Sequence, residues 1–128
     1  MARILTLAIA SLTLGILTGG PAMAADAAAG GKIFKAQCGL CHGTTASASA
    51  GIGPSLAGVV GRTSGTQAGF ASRYSPALKA AKRVWTPENL EAWIGGPAKA
   101  VPGSRMPFAG LHDAGQVEDV VAYLKTLK

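Results

Sequence analysis

Apolar residues run almost unbroken from Ile4 to Leu17 and never do so again. From Ala25 onward they recur in short groups at helical spacing, separated by glycine, proline and small polar residues. The first group, about Ala27 to Gln37, sets Gly30 and Phe34 four apart with Ile33 beside them, which makes them neighbours on one helix face. Ser75-Pro76 puts an N-cap residue before proline at the first helical position and predicts a short helix to about Lys82. Thr86-Pro87-Glu88 repeats the device and opens a helix carrying Leu90, Trp93 and Ile94, which must stop near Gly95-Gly96-Pro97. The last helix is the clearest. Asp113 followed by Gln116 is a capping-box pattern, and Val117, Val120, Val121, Leu124 and Leu127 form one apolar stripe.

No segment alternates with the period of a strand and no internal repeat is visible, so the fold class is all-α, with three to five short helices and long loops. The stretch from Gly43 to Gly69 is too small, polar and turn-rich to pack alone and reads as loop. The first and last helices are expected to cross near Gly30, where a missing side chain allows close approach.

The leading run changes where the protein is expected to work. Arg3, the apolar run, Gly19-Gly20-Pro21 and the small-residue site Ala22-Met23-Ala24 read as a secretory signal peptide, residues 1–24, cleaved after Ala24. As a membrane anchor the run is shorter than the roughly 20 apolar residues of a span, and Thr6, Ser11, Thr13 and Thr18 interrupt it. Residues 25–128 then form a single domain, with no membrane span after cleavage.

Composition sharpens the picture. The mean hydropathy of +0.31 is inflated by the leading segment. From Ala25 on there are 15 glycines, 6 prolines and seven aromatic residues, a loop-rich make-up that buries a thin core by itself. A large apolar cofactor would fill that deficit.

The candidate for holding one is Cys38-Gly39-Leu40-Cys41-His42. Cys-x-x-Cys-His is the signature of covalent c-type haem attachment. On a helical turn Cys38 and Cys41 project from the same side, and each can add across one of the two vinyl groups on one haem edge. His42 is then carried under the porphyrin, where a neutral imidazole nitrogen can bind iron. Two other uses of paired cysteines are a disulfide or exchanging dithiol and a zinc site. A thioredoxin-like dithiol belongs in a βαβ pattern, and none surrounds this one. Zinc wants four ligands at about tetrahedral geometry, and the whole chain offers two cysteines and two histidines, of which His112 lies seventy residues beyond His42. Haem alone uses the adjacent histidine.

A sixth iron ligand would decide between carrier and enzyme. Once the leading segment is removed Met106 is the only methionine. It sits among Pro102, Gly103 and Pro107 with no helical period, a poor place for a gap-filling core residue and a good one for a ligand. His112, just before the last helix, is the rival, and a solvated surface role suits it better.

With these residues in view the chain resembles the class I cytochromes c, the soluble bacterial and mitochondrial electron carriers, over nearly all of residues 25–128. The resemblance rests on Gly30 and Phe34, the Cys38–His42 motif, Gly53-Pro54-Ser55-Leu56, Gly61-Arg62, Tyr74, Trp85, Pro102 to Met106, Phe108-Ala109-Gly110 and Glu118 to Leu124. It implies the cytochrome c fold around one covalent haem c. It also implies that the Pro54 carbonyl accepts a hydrogen bond from the second ring nitrogen of His42. Arg62, Tyr74 and Trp85 match positions around a buried haem propionate, which guanidinium, phenol and indole donors suit. The chain departs from the mitochondrial members by two more residues between Phe70 and Tyr74, and by lacking several lysines of the haem edge.

Charge is modest. Residues 25–128 keep 11 of the 12 basic residues and all six acids, a formal +5, with Lys79, Lys82 and Arg83 expected on one helix face. The basic residues are scattered, which argues against nucleic acid. The expected function is a monomeric, non-enzymatic periplasmic monohaem carrier. It would pass single electrons between redox complexes such as a cytochrome bc complex and a terminal oxidase or reaction centre. A dedicated electron-accepting subunit of a periplasmic dehydrogenase is the second reading; an enzyme or gas sensor in which Met106 dissociates is the third.

Overall fold

The computed structural model describes residues 23–47 and 51–128. The signal-peptide expectation, apart from Met23 and Ala24, lies outside the described residues. Among the described residues five α-helices follow in order: α1 Ala27–Gln37, α2 Pro76–Ala81, α3 Pro87–Gly95, α4 Pro97–Ala100 and α5 Ala114–Leu124. No strand occurs among the described residues, only an isolated antiparallel bridge between Thr63 and Val84.

Local chemistry sets the helix starts. Asp26 caps α1 through its side chain, which accepts from the Ala28 and Ala29 amides at 2.8 and 3.1 Å. Ser75 Oγ accepts from Leu78 N–H, Thr86 Oγ1 from Asn89 N–H and Asp113 Oδ1 from Gln116 N–H, at 3.2, 3.2 and 2.9 Å. Each satisfies an amide that the helix itself cannot. The backbone amide of Glu88 and, to a lesser extent, the hydroxyl of Thr86 also hold the exposed Glu88 carboxyl below its ordinary pKa.

α1 and α5 cross at Gly30, which is buried against Asp119 and Val120; a Cβ there would collide with the Asp119 carbonyl. The Asp26 N–H donates to Asp119 Oδ1 at 2.6 Å across the same junction. The Phe34 and Tyr123 rings meet beside it, centroids 5.2 Å apart. Val120 and Val121 are the best buried of the stripe at 1% exposure, worth about 1.5–3 kcal/mol each. α3 adds Leu90, Trp93 and Ile94 to this core.

Several details depart from the sequence reading. Gly96-Pro97 ends α3 but also begins α4, one turn long, because proline at its first position presets φ. Ala68–Phe70 forms a 3-10 turn within the stretch read as loop. α5 ends at Leu124, although Leu127 still packs on the core. Lys79, Lys82 and Arg83 do not share a helix face: α2 ends at Ala81, Lys82 turns into the left-handed region (φ 45°), and Arg83 donates from Nη2 to the Ala100 carbonyl at 3.2 Å.

Candidate haem site

Cys38 caps the end of α1, its N–H donating to the Phe34 carbonyl at 2.8 Å. Turn bonds from the amides of Cys41 and His42 back to the Cys38 carbonyl (3.0 and 2.9 Å) continue the winding. The two thiols therefore hang from one turn, both free and half-buried. Burial, and the neighbouring Cys41, push the Cys38 thiol above its ordinary pKa.

His42 is held by two neighbours, Pro54 and Gly53. Its Nδ1 lies 2.8 Å from the Pro54 carbonyl oxygen; a carbonyl can only accept, so Nδ1 carries the hydrogen and Nε2 presents a lone pair. The Gly53 backbone lies close against the ring, with no space for a Cβ beside the ring atoms. The Gly53 N–H in turn donates to the Cys41 carbonyl at 2.8 Å. Burial pushes the imidazole pKa down, with the Pro54 bond opposing, and so favours the neutral form a metal ligand needs.

Cys38, Cys41, His42 and Pro54 line one side chain-walled cavity of ≈ 320 Å³, and Arg62, Tyr74, Trp85 and Met106 line the same one. The eight residues come from six separate places along the chain. Phe34, Leu56, Val59, Leu90, Trp93 and Ile94 make much of the rest of its wall apolar.

The Arg62 guanidinium donates to the carbonyls of Ala57 and Ser55 at 3.1 and 2.9 Å, which curls the 55–62 loop round it. Burial depresses its pKa, and Tyr74 opposes that fall. Burial raises the Tyr74 phenol, opposed by Arg62 and the Gln67 backbone. Trp85 exchanges backbone bonds with Gly61 and Arg62, both 2.9 Å, so these polar side chains are presented by one braced junction.

Met106 is half-buried in the loop between α4 and α5. Ser104 N–H bonds the Val101 carbonyl at 3.1 Å before it, and Leu111 N–H bonds the Ile94 carbonyl at 2.9 Å after it. Gly110 (φ +106°) lies so close to the Gly95 carbonyl that no side chain fits. His112 is exposed and borders a different depression, beside Glu91 and Glu118 between α3 and α5.

The structure adds residues that sequence reasoning passes over. Gly53 is quoted above only as part of a motif, yet its missing side chain is what admits the imidazole. Arg73 also lines the cavity, and donates to the Gly51 carbonyl at 2.7 Å.

A flat, largely apolar group with two acidic substituents, bonded through paired thiols and a single imidazole nitrogen, fits this donor set. The family model for cytochrome c matches residues 27–128. The chain belongs to the cytochrome c family. It is a class I c-type cytochrome and a monohaem electron carrier, with one haem c attached through Cys38 and Cys41. It is 45% identical over 103 residues to a cytochrome c of Euglena viridis, covering 80% of this chain and 98% of that one. It is likewise 45% identical over 105 residues to a cytochrome c2 of Blastochloris viridis, covering 82% of this chain and 80% of that one. Among solved structures, cytochrome cH from Methylobacterium extorquens superposes with a TM-score of 0.70 at 42% identity, covering 79% of this chain and 98% of that one. No described helix of this cytochrome is long and apolar enough to cross a membrane.

Proposed function

We propose that this cytochrome is a periplasmic carrier whose iron is closed by His42 and Met106, and that it shuttles single electrons between redox complexes. The carrying observation is the fixed Nδ1–H of His42 on Pro54, which leaves Nε2 free within a cavity that Met106 also lines. When bound, the haem supplies a one-electron iron couple.

The protein's part is to hold both ligands in place and to keep water away. His42 is braced by Gly53 and Pro54, so its basicity is set by a neutral acceptor. A thioether ligand together with apolar walls favours the reduced iron and so a positive potential. Arg62, Tyr74 and Trp85 offer N–H and O–H groups where a propionate would otherwise be buried at high cost. Gln37, Ile52, Arg73, Arg105 and Pro107 line the cavity while remaining exposed, so they mark its mouth and the face a partner meets. That mouth carries two arginines and no carboxylate, which suits an acidic docking face and attraction that weakens with salt.

Partners of the proposed kind are a cytochrome bc complex with a terminal oxidase or reaction centre; a periplasmic dehydrogenase is the second reading, which co-purification with a larger enzyme would favour. Residues 1–24 are proposed to be a cleaved export signal and the mature protein a monomer. The test is carbon monoxide added to the reduced holoprotein at neutral pH. A closed site leaves the spectrum unchanged, whereas tight binding would mean an open iron and a sensory or catalytic role.

A further inference from the structure

We propose that Arg73 is a positioning residue for His42, acting through the Gly51–Pro54 segment; this rests on reading the cavity as the haem site. The guanidinium spans two loops. Its Nη1–H donates to the Gly51 carbonyl at 2.7 Å, and Nη2 lies 3.4 Å from the Ile52 carbonyl oxygen. Its Cζ sits 4.5 Å from the centroid of the Phe70 ring.

The near end of this clamp is rigid. Phe70 packs edge-on against Tyr74 with centroids 5.0 Å apart, and both rings are buried. Arg73 N–H closes a turn onto the Phe70 carbonyl at 2.9 Å. The far end is the stretch that carries the acceptor of His42. From Gly51 the chain passes to Gly53, whose amide bonds Cys41 and whose backbone supports the imidazole, and then to the Pro54 carbonyl. The segment is thus gripped at Gly53 by the haem motif and at Gly51–Ile52 by Arg73. Without the second grip the segment can pivot about Gly53, and the Pro54 carbonyl moves relative to Nδ1.

The residue type fits the task. A planar guanidinium can address two adjacent carbonyls while stacking on an aromatic ring, whereas an ammonium is a single flexible point charge. Arg105 provides an internal comparison: it is also an exposed arginine on the cavity wall, but it adjoins Met106 in the other loop.

The experiment is solvent exchange of the His42 Nδ1 proton and the Gly53 amide, followed by NMR on reduced holoprotein. Arg73→Gln should accelerate both roughly tenfold, the loss of one charge-assisted bond and its stacking. Arg73→Lys should fall between that variant and the wild type. Arg105→Gln, which removes the same charge from the mouth, should leave both rates unchanged, and the Val120 amide should keep its rate in every variant. Wild-type rates in Arg73→Gln would overturn the proposal. So would equal acceleration by Arg105→Gln, or an acceleration of Val120 matching that of Gly53, which would mean general loss of stability. A wild-type protein without haem absorption would overturn the cavity reading beneath it.

Discussion

Substitution of Gly30 by alanine tests the helix crossing on which the cavity depends. In a helix interior this change ordinarily stabilises by about 1 kcal/mol. Here the new Cβ would strike the Asp119 carbonyl, with Val120 N also 2.9 Å away, while ordinary contact begins near 3.4 Å. The obstacle is backbone, so the helices must part by about an ångström or more rather than a side chain turning aside. Parting loosens Phe34, Val120 and Val121 and breaks the Asp26–Asp119 bond. Overpacking of about 3 kcal/mol plus about 1 kcal/mol for the bond, less the propensity gain, leaves a net loss of roughly 3 kcal/mol. For a domain this size that lowers Tm by about 12–24 °C. Gly31→Ala is the paired control: its Cβ meets only the edge of the Tyr123 ring at 3.2 Å, and a ring can shift, so its net effect should stay within about 1 kcal/mol. Chemical denaturation of both holoproteins, read by far-ultraviolet circular dichroism and haem absorption, separates them. A Gly30→Ala variant as stable as Gly31→Ala would refute the reasoning.

Ser64→Ala should cost about 2 kcal/mol in the same denaturation assay, because the buried Oγ donates to the Leu78 carbonyl and accepts from Arg83 N–H, both at 3.0 Å, and both would be left unpaired. Lys82→Gly should raise stability by about 0.5 kcal/mol, since relief of the left-handed lysine (φ 45°) outweighs the added freedom of the unfolded chain. Tyr74 supplies a pH signature. Burial raises its pKa in the folded protein, so the unfolded chain releases the phenolic proton first; the associated stability is complete below the unfolded value near pH 10 and is lost as pH rises from there through the folded value. In Tyr74→Phe the fall in stability above about pH 10 should be shallower than in the wild type. Equal slopes in the two proteins would contradict it.

The helix starts are legible in the sequence because their causes are local: Ser75, Thr86 and Asp113 each cap the helix that follows, and Pro76 and Pro87 occupy first positions. The crossing at Gly30 is legible because one glycine stands at helical spacing from Phe34. α4 and the 3-10 turn at Ala68–Phe70 are not, because a single turn is too short to show a periodic stripe. The end of α2 escapes for another reason: Lys82 adopts a backbone conformation that lysine rarely takes, so residue type misleads there. At the site, the haem motif announces itself through chemistry that needs three residues, two cysteines and a histidine, at fixed spacing. Arg73 gives no such signal, because its partners are main-chain carbonyls 21 and 22 residues away, which any residues could supply. Gly53 becomes intelligible only when its distance to the imidazole is known.

The absorption spectrum of the oxidised holoprotein in the near infrared tests the closed-site account most directly, because a methionine sulfur on ferric haem gives a weak band there. The account predicts that the band is present in the wild type and in His112→Ala and is lost in Met106→Ala. Its absence from the wild type, or its persistence in Met106→Ala, would contradict ligation by Met106 and with it the reading of this cytochrome as a closed electron carrier.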